Sequence, residues 1–170
     1  MADTTTDPSF TMASGLLTAH CIRLEPGADL VSSLTRAAQK AAKQNPSSLS
    51  SPSSAVMVLT AIGSLDYLKL RLANASRDDQ TDPFRTWEER LEVVSLVGTF
   101  CGADGAKHLH MSVADAQGRV FGGHLVEGTV YTTLELVLGT VQGVEFTREL
   151  DEKTGYGELV VKSTSPTDCS

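Results

Sequence analysis

Three of the four histidines in this 170-residue chain, His108, His110 and His124, fall within 17 residues of one another. Imidazole is the most common protein ligand for zinc and its neighbours, so the first question is whether the chain can bring these three rings together. The segment around His108 and His110 alternates like a β-strand, and residues two apart on a strand point to one face. Between this pair and His124 lies a turn signal, Asp115-Ala116-Gln117-Gly118. A three-residue loop, Ala116 to Gly118, sets Asp115 opposite Arg119 and therefore His110 opposite His124. A two-residue loop slips the register by one and sends His124 to the other face. The first register is the expectation: three imidazoles converging on one side of a hairpin. Two uses fit such a cluster. One is a divalent metal such as zinc, with a coordination position left open for water or substrate. The other is a polar cleft in which neutral imidazoles hydrogen-bond to each other, to backbone and to water.

Other candidate chemistry is sparse. No Ser-His-Asp order or nucleophile elbow occurs. Gly122-Gly123 lacks the following helix and Lys-Ser/Thr of a phosphate loop and reads as a bulge or a close-packing site. Cys21, Cys101 and Cys169 are odd in number, widely spaced and without a Cys-x-x-Cys. They do not form a disulfide framework. Cys21 and Cys101, in apolar strand-like segments, are expected to be buried, and Cys169 exposed. His20 stands apart from the other histidines.

The elements that must position the cluster follow from periodicity. Leu16 to Leu24 reads as a first strand, broken by Pro26-Gly27. From Asp29, the apolar residues Leu30, Val31, Leu34, Ala37, Ala38, Ala41 and Ala42 recur at helical spacing up to Asn45-Pro46. Ser47 to Ser54 is a Ser/Pro loop. Ala55 to Ile62 is a buried strand, Gly63-Ser64 punctuates it, and Leu65 to Leu72 alternates, with Lys69 and Arg71 on the polar side. Asn74 to Pro83 is turn-rich, and Phe84 to Phe100 holds one or two strands. After the histidine hairpin, Val130 to Leu138 is a strong strand. Val144 to Glu149 and Tyr156 to Val161 close the domain around an acidic turn. The class is α+β: a largely antiparallel β-sheet packed with one main α-helix. Residues 1–14 and 163–170 read as disordered tails around a domain spanning 15–162.

Composition narrows the function classes. The net charge is −7, and no basic run compensates for it, which opposes duplex DNA as a partner. No apolar run reaches the ~20 residues of a membrane-spanning helix. Residues 1–10 lack the basic start and apolar centre of a signal peptide, so a cytoplasmic location is the default and a nuclear one stays open.

Five segments together resemble the PPC (plants-and-prokaryotes conserved) domain, in its stand-alone bacterial form. They are Arg23 to Leu30; Ala61 to Leu65; Leu91 to Gly98; His108-Leu109-His110 with Gly118 to Leu125; and Glu135 with Phe146-Thr147-Arg148 and Thr154-Gly155. The resemblance implies an antiparallel sheet on a long helix, assembled as a homotrimer with sites near subunit boundaries. In plant members the domain follows an Arg-Gly-Arg-Pro element that enters the DNA minor groove. This sequence has none. On a trimer seam, Arg23 and Arg148, each ending an apolar strand, are candidates for a small anionic ligand, against structural salt bridges. Glu135 is a candidate fourth ligand, base or histidine partner, against an ion pair with Arg119 or Arg148. Three functions are carried forward: a metal- or anion-binding trimer, a DNA-associated regulator, and a metal-dependent hydrolase or lyase.

Overall fold

The computed structural model describes residues 10–44, 55–73, 83–101 and 105–164. Most of both expected tails, the Ser47–Ser54 loop, nearly all of the turn-rich stretch after Asn74, the Asn45-Pro46 helix stop and Cys169 lie outside the described residues. The elements run β1 (Leu17–Leu24), α1 (Leu30–Gln44), β2 (Ala55–Arg71), β3 (Phe84–Trp87), β4 (Leu91–Cys101), β5 (Lys107–Ala114), β6 (Val120–Val141), β7 (Val144–Leu150) and β8 (Gly157–Ser163).

α1 starts where Asp29 caps it: the Asp29 carboxylate accepts a hydrogen bond from the Ser32 amide at 2.7 Å. Its apolar stripe of Leu30, Leu34, Ala38, Ala41 and Ala42 is buried, packed mainly on β6 and β2. All described pairings are antiparallel. Six strands form one sheet in the order β1-β6-β5-β4-β2-β3, and β6 also pairs with β2. The ladder therefore closes on itself through β2, β6, β5 and β4. Leu65, Leu68, Leu70, Leu96, Phe100, Leu109, Leu134 and Leu138 fill the interior beneath the helix. β7 and β8 form a separate two-stranded ribbon, seated on a smaller cluster of Ala55, Cys101, Val144 and Phe146.

Two strands are longer than the periodicity suggested. The segments on either side of Gly63-Ser64 are one strand, β2. The register shifts between Gly63 and Leu65, and the Ser64 hydroxyl lies 2.6 Å from that of Thr132. A bulge absorbs the interruption without ending the ladder. Likewise, the second arm of the histidine hairpin and the Val130–Leu138 run are continuous in β6, 22 residues long. Cys101 is buried as expected, but Cys21 is exposed. It lies on the outer side of β1, where nothing described covers it, whereas Ile22 and Leu24 turn inward to the core.

Candidate metal centre in an electropositive cleft

The hairpin between β5 and β6 has the expected register: His110 pairs with His124, and Ala114 with Val120. Asp115 fixes it. Its amide donates to the Arg119 carbonyl. Its carboxylate accepts from the Gln117 and Arg119 amides, both at 2.9 Å, and from Arg119 Nε at 2.6 Å. Burial works to raise the Asp115 pKa, but these hydrogen bonds outweigh it and hold the carboxyl below its usual value. The ion pair of Glu135 with Arg119 or Arg148 does not form: Arg119 is paired with Asp115, and Arg148 bonds Thr99 and Gly157.

On this frame the three imidazoles converge. His108 Nε2 and His110 Nε2 are 3.1 Å apart, and one candidate ligand atom from each of the three histidines lies within 4.8 Å of the other two. Two nitrogens bound to one tetrahedral zinc ion at ~2.0–2.1 Å stand about 3.3 Å apart. The closest pair is already at that separation, and the widest needs to close by no more than about 1.5 Å, within reach of side-chain rotation. The Nδ1 of His124 is buried without a hydrogen-bond partner among the described residues. A buried polar atom left unpaired is costly, and a metal ion or a hydrogen-bonding ligand relieves it.

Neighbouring strands supply the rest of the cleft, whose volume is about 640 Å³. Arg71, at the end of β2, pairs with His124 across β6, so Arg71, His124 and His110 form a row over three adjacent strands. Gly122 and Gly123 keep these strands tight, as the sequence suggested: a Cβ on Gly123 would stand 2.7 Å from the Arg71 carbonyl oxygen. On the other side, Arg148 of β7 donates to Thr99 Oγ1 at 3.2 Å, and Thr99 pairs with His108. Arg148 also donates to the Gly157 carbonyl at 3.2 Å. Lys107, Tyr156 and Glu158 complete the wall.

Of the sequence-derived ligand residues, the cleft contains the three histidines and Arg148 but neither Arg23 nor Glu135. Glu135 is eleven residues along β6 from His124, roughly 35 Å of strand. It sits in register with Arg23 and Ile62, in a separate outer depression with Cys21. There Arg23 bonds Glu25 at 2.7 Å and Thr133 at 3.1 Å. The carboxylate that does line the cleft is Glu158, which accepts from Thr154 Oγ1 at 2.9 Å. His20 bonds Thr140 at 3.1 Å, away from the cluster.

Burial, then the Arg71 guanidinium and the neighbouring imidazoles, lower the His124 pKa to about 4. Burial and then His110 and Arg148 lower that of His108. Both rings thus stay neutral, the form that binds metal. In metal-free protein, the His124 ring is expected to titrate near pH 4 in NMR rather than near its ordinary ~6.5; an inflection near 6.5 would contradict this. Because the folded-state pKa is the lower one, the unfolded chain takes up the proton first. The contribution to stability is complete above pH ~6.5 and is lost as the pH falls toward 4.

The chain belongs to the Plants and Prokaryotes Conserved (PCC) domain family, matched over residues 12–142. It is 42% identical over 155 residues to the bifunctional protein GlmU of Synechococcus sp. (strain JA-3-3Ab), covering 91% of this chain and 22% of that protein. The chain thus spans about a fifth of the length of the curated relatives it matches. A hypothetical protein from Salmonella cholerae-suis shares 30% identity at a TM-score of 0.74, over 89% of this chain and 97% of that one. A metal-containing protein from Archaeoglobus fulgidus has the same fold at 21% identity, TM-score 0.66, over 89% and 99% of the two chains. So does a Bacteroides thetaiotaomicron protein described provisionally as DNA-binding, at 16% identity and TM-score 0.63, over 86% and 93%.

Proposed function

We propose that the histidine cleft binds one divalent metal ion per chain, zinc by preference, and presents its open coordination position to a small anionic ligand. The observation that carries this reading is the convergence of three ligand atoms within 4.8 Å of one another. An all-imidazole donor set suits zinc and the later first-row metals better than calcium or magnesium. The metal-containing Archaeoglobus neighbour supports the reading. Titration of metal-free protein with zinc tests it: one equivalent per chain is expected, and no binding would refute it.

The protein is proposed to work as a homotrimer. Leu17, Leu59, Ile62, Val94 and Val97 stand exposed on the outer sides of β1, β2 and β4, more apolar strand surface than a monomer comfortably leaves in water. A second copy of the same sheet is the natural cover. Light scattering at micromolar concentration should give a trimer mass, and a monomer mass would sink the assembly claim.

Hydrolase or lyase chemistry is a second use of the same centre: an ion with an open position activates water, and Glu158 is the nearby carboxylate that could take its proton. DNA association has the provisional designation of the Bacteroides protein in its favour. Against it stands the net charge of −7. Among the described residues, no helix is long and apolar enough to cross a membrane.

A further inference from the structure

The charge of the cleft is opposite to that of the chain. Arg71, Lys107 and Arg148 line it against the single carboxylate of Glu158 among the described residues, an excess of two positive charges from these four side chains in a chain of net charge −7. Much of the donor capacity of this group is unspent. The Arg71 side chain has no hydrogen-bond or ion-pair partner among the described residues. Arg148 Nε is buried and unpaired there, while the other two nitrogens of that guanidinium are anchored on Thr99 and Gly157. The two arginines flank the histidines from opposite sides: Arg71 beside His124 on the β2 side, and Arg148 over Thr99, the strand partner of His108. Two guanidiniums lining one cleft with a lysine repel one another, and an anion bound among them relieves that repulsion.

We infer that the cleft binds a phosphate dianion, free or as a monoester, held between Arg71 and Arg148 with one oxygen directed to the histidine-bound ion. This rests on the metal reading above. The excess of two positive charges, before any ion is added, matches a dianion better than a monocarboxylate. Guanidinium forks pair with two phosphate oxygens at once, and a tetrahedral phosphate keeps a further oxygen for the metal. Arg71 is the decisive residue because it holds nothing else among the described residues, whereas Arg148 also tethers β7 to β4.

The test is calorimetric titration of zinc-loaded protein with inorganic phosphate, phenyl phosphate and benzoate, with zinc stoichiometry measured separately for every variant. At least one of the two phosphate ligands is expected to bind one per chain, at least tenfold tighter than benzoate. Binding of phenyl phosphate assigns the cleft to an ester, and binding of inorganic phosphate alone assigns it to the free ion. Arg71→Ala should lower phosphate affinity at least tenfold while zinc stoichiometry and the melting temperature stay unchanged. Arg71→Lys, which keeps the charge but not the fork, should recover only part of the loss. Arg148→Gln should act in the same direction. If zinc binds but neither phosphate ligand does, if benzoate binds equally well, or if Arg71→Ala leaves phosphate affinity unchanged, the inference is overturned while the metal centre stands. If no zinc binds, the metal reading fails by itself. Phosphate binding by the metal-free protein, lost in Arg71→Ala, would still establish the arginine clamp, and its absence would refute it.

Discussion

Replacing His110 with alanine is expected to weaken zinc binding at least about 100-fold, whereas His20→Ala leaves it unchanged. In the backbone register His110 links the set, two residues along β5 from His108 and directly across the ladder from His124. Its ring lies 5.0 Å from that of His108 and 5.5 Å from that of His124, centroid to centroid, and the His108 and His124 rings are 5.3 Å apart, so each imidazole touches the other two. Loss of an outer partner of a metal ligand already costs 10–100-fold in affinity, and loss of a direct ligand costs at least the upper end of that range. His20 is the internal control, bonded to Thr140 away from the cluster. Competition titration with a chromogenic chelator at neutral pH reads both variants. Equal affinities for His110→Ala, His20→Ala and the parent would place the metal elsewhere. The same titration near pH 5 should give weaker binding to the parent, because protons compete for imidazoles that must be neutral to bind.

Gly98→Ala is expected to destabilise the protein by about 2–4 kcal/mol, roughly 5–15 °C in melting temperature, and to weaken zinc binding as well. Gly98 has φ +145°, a conformation that L-residues rarely adopt. A Cβ there would collide with the His108 carbonyl oxygen and approach the Leu109 Cα at 2.9 Å. β4 and β5 touch this closely just behind the two strand histidines. A methyl group must therefore either strain β4 or push β5 outward, carrying His108 and His110 with it. Thermal unfolding together with zinc titration separates the consequences. A variant melting within 2 °C of the parent with unchanged zinc affinity would show that this contact does not position the site.

How far the sequence could be read depended on the range of the interaction concerned. The hairpin register was accessible because its determinants are local: alternation in β5, a three-residue loop, and Asp115 closing that loop on Arg119. The helix was accessible for the same reason, through the helical spacing of its apolar residues from Leu30 to Ala42. Strand lengths were not, because the bulges in β2 that continue the ladder past Gly63 are set by pairing with a distant strand. The continuity of β6 carries Glu135, a candidate fourth ligand, far from the histidines. The cleft's other residues escaped for the converse reason. Lys107 was at hand beside His108, and the alternation of Lys69 and Arg71 against three leucines marked Arg71 as outward-facing. No local pattern, however, says that Arg71 pairs with His124, or that β8 brings Glu158 to the cleft. The family resemblance supplied the fold more fully than it supplied the chemistry.

The most direct test of the account is a crystal structure of zinc-replete protein with anomalous data collected on both sides of the zinc edge. The account predicts one zinc ion per chain, within ~2.0–2.2 Å of one imidazole nitrogen each from His108, His110 and His124, with a non-protein ligand in the remaining position. A cleft without anomalous signal, with the 3.1 Å hydrogen bond between His108 and His110 intact, or an ion bound at other residues, would contradict it.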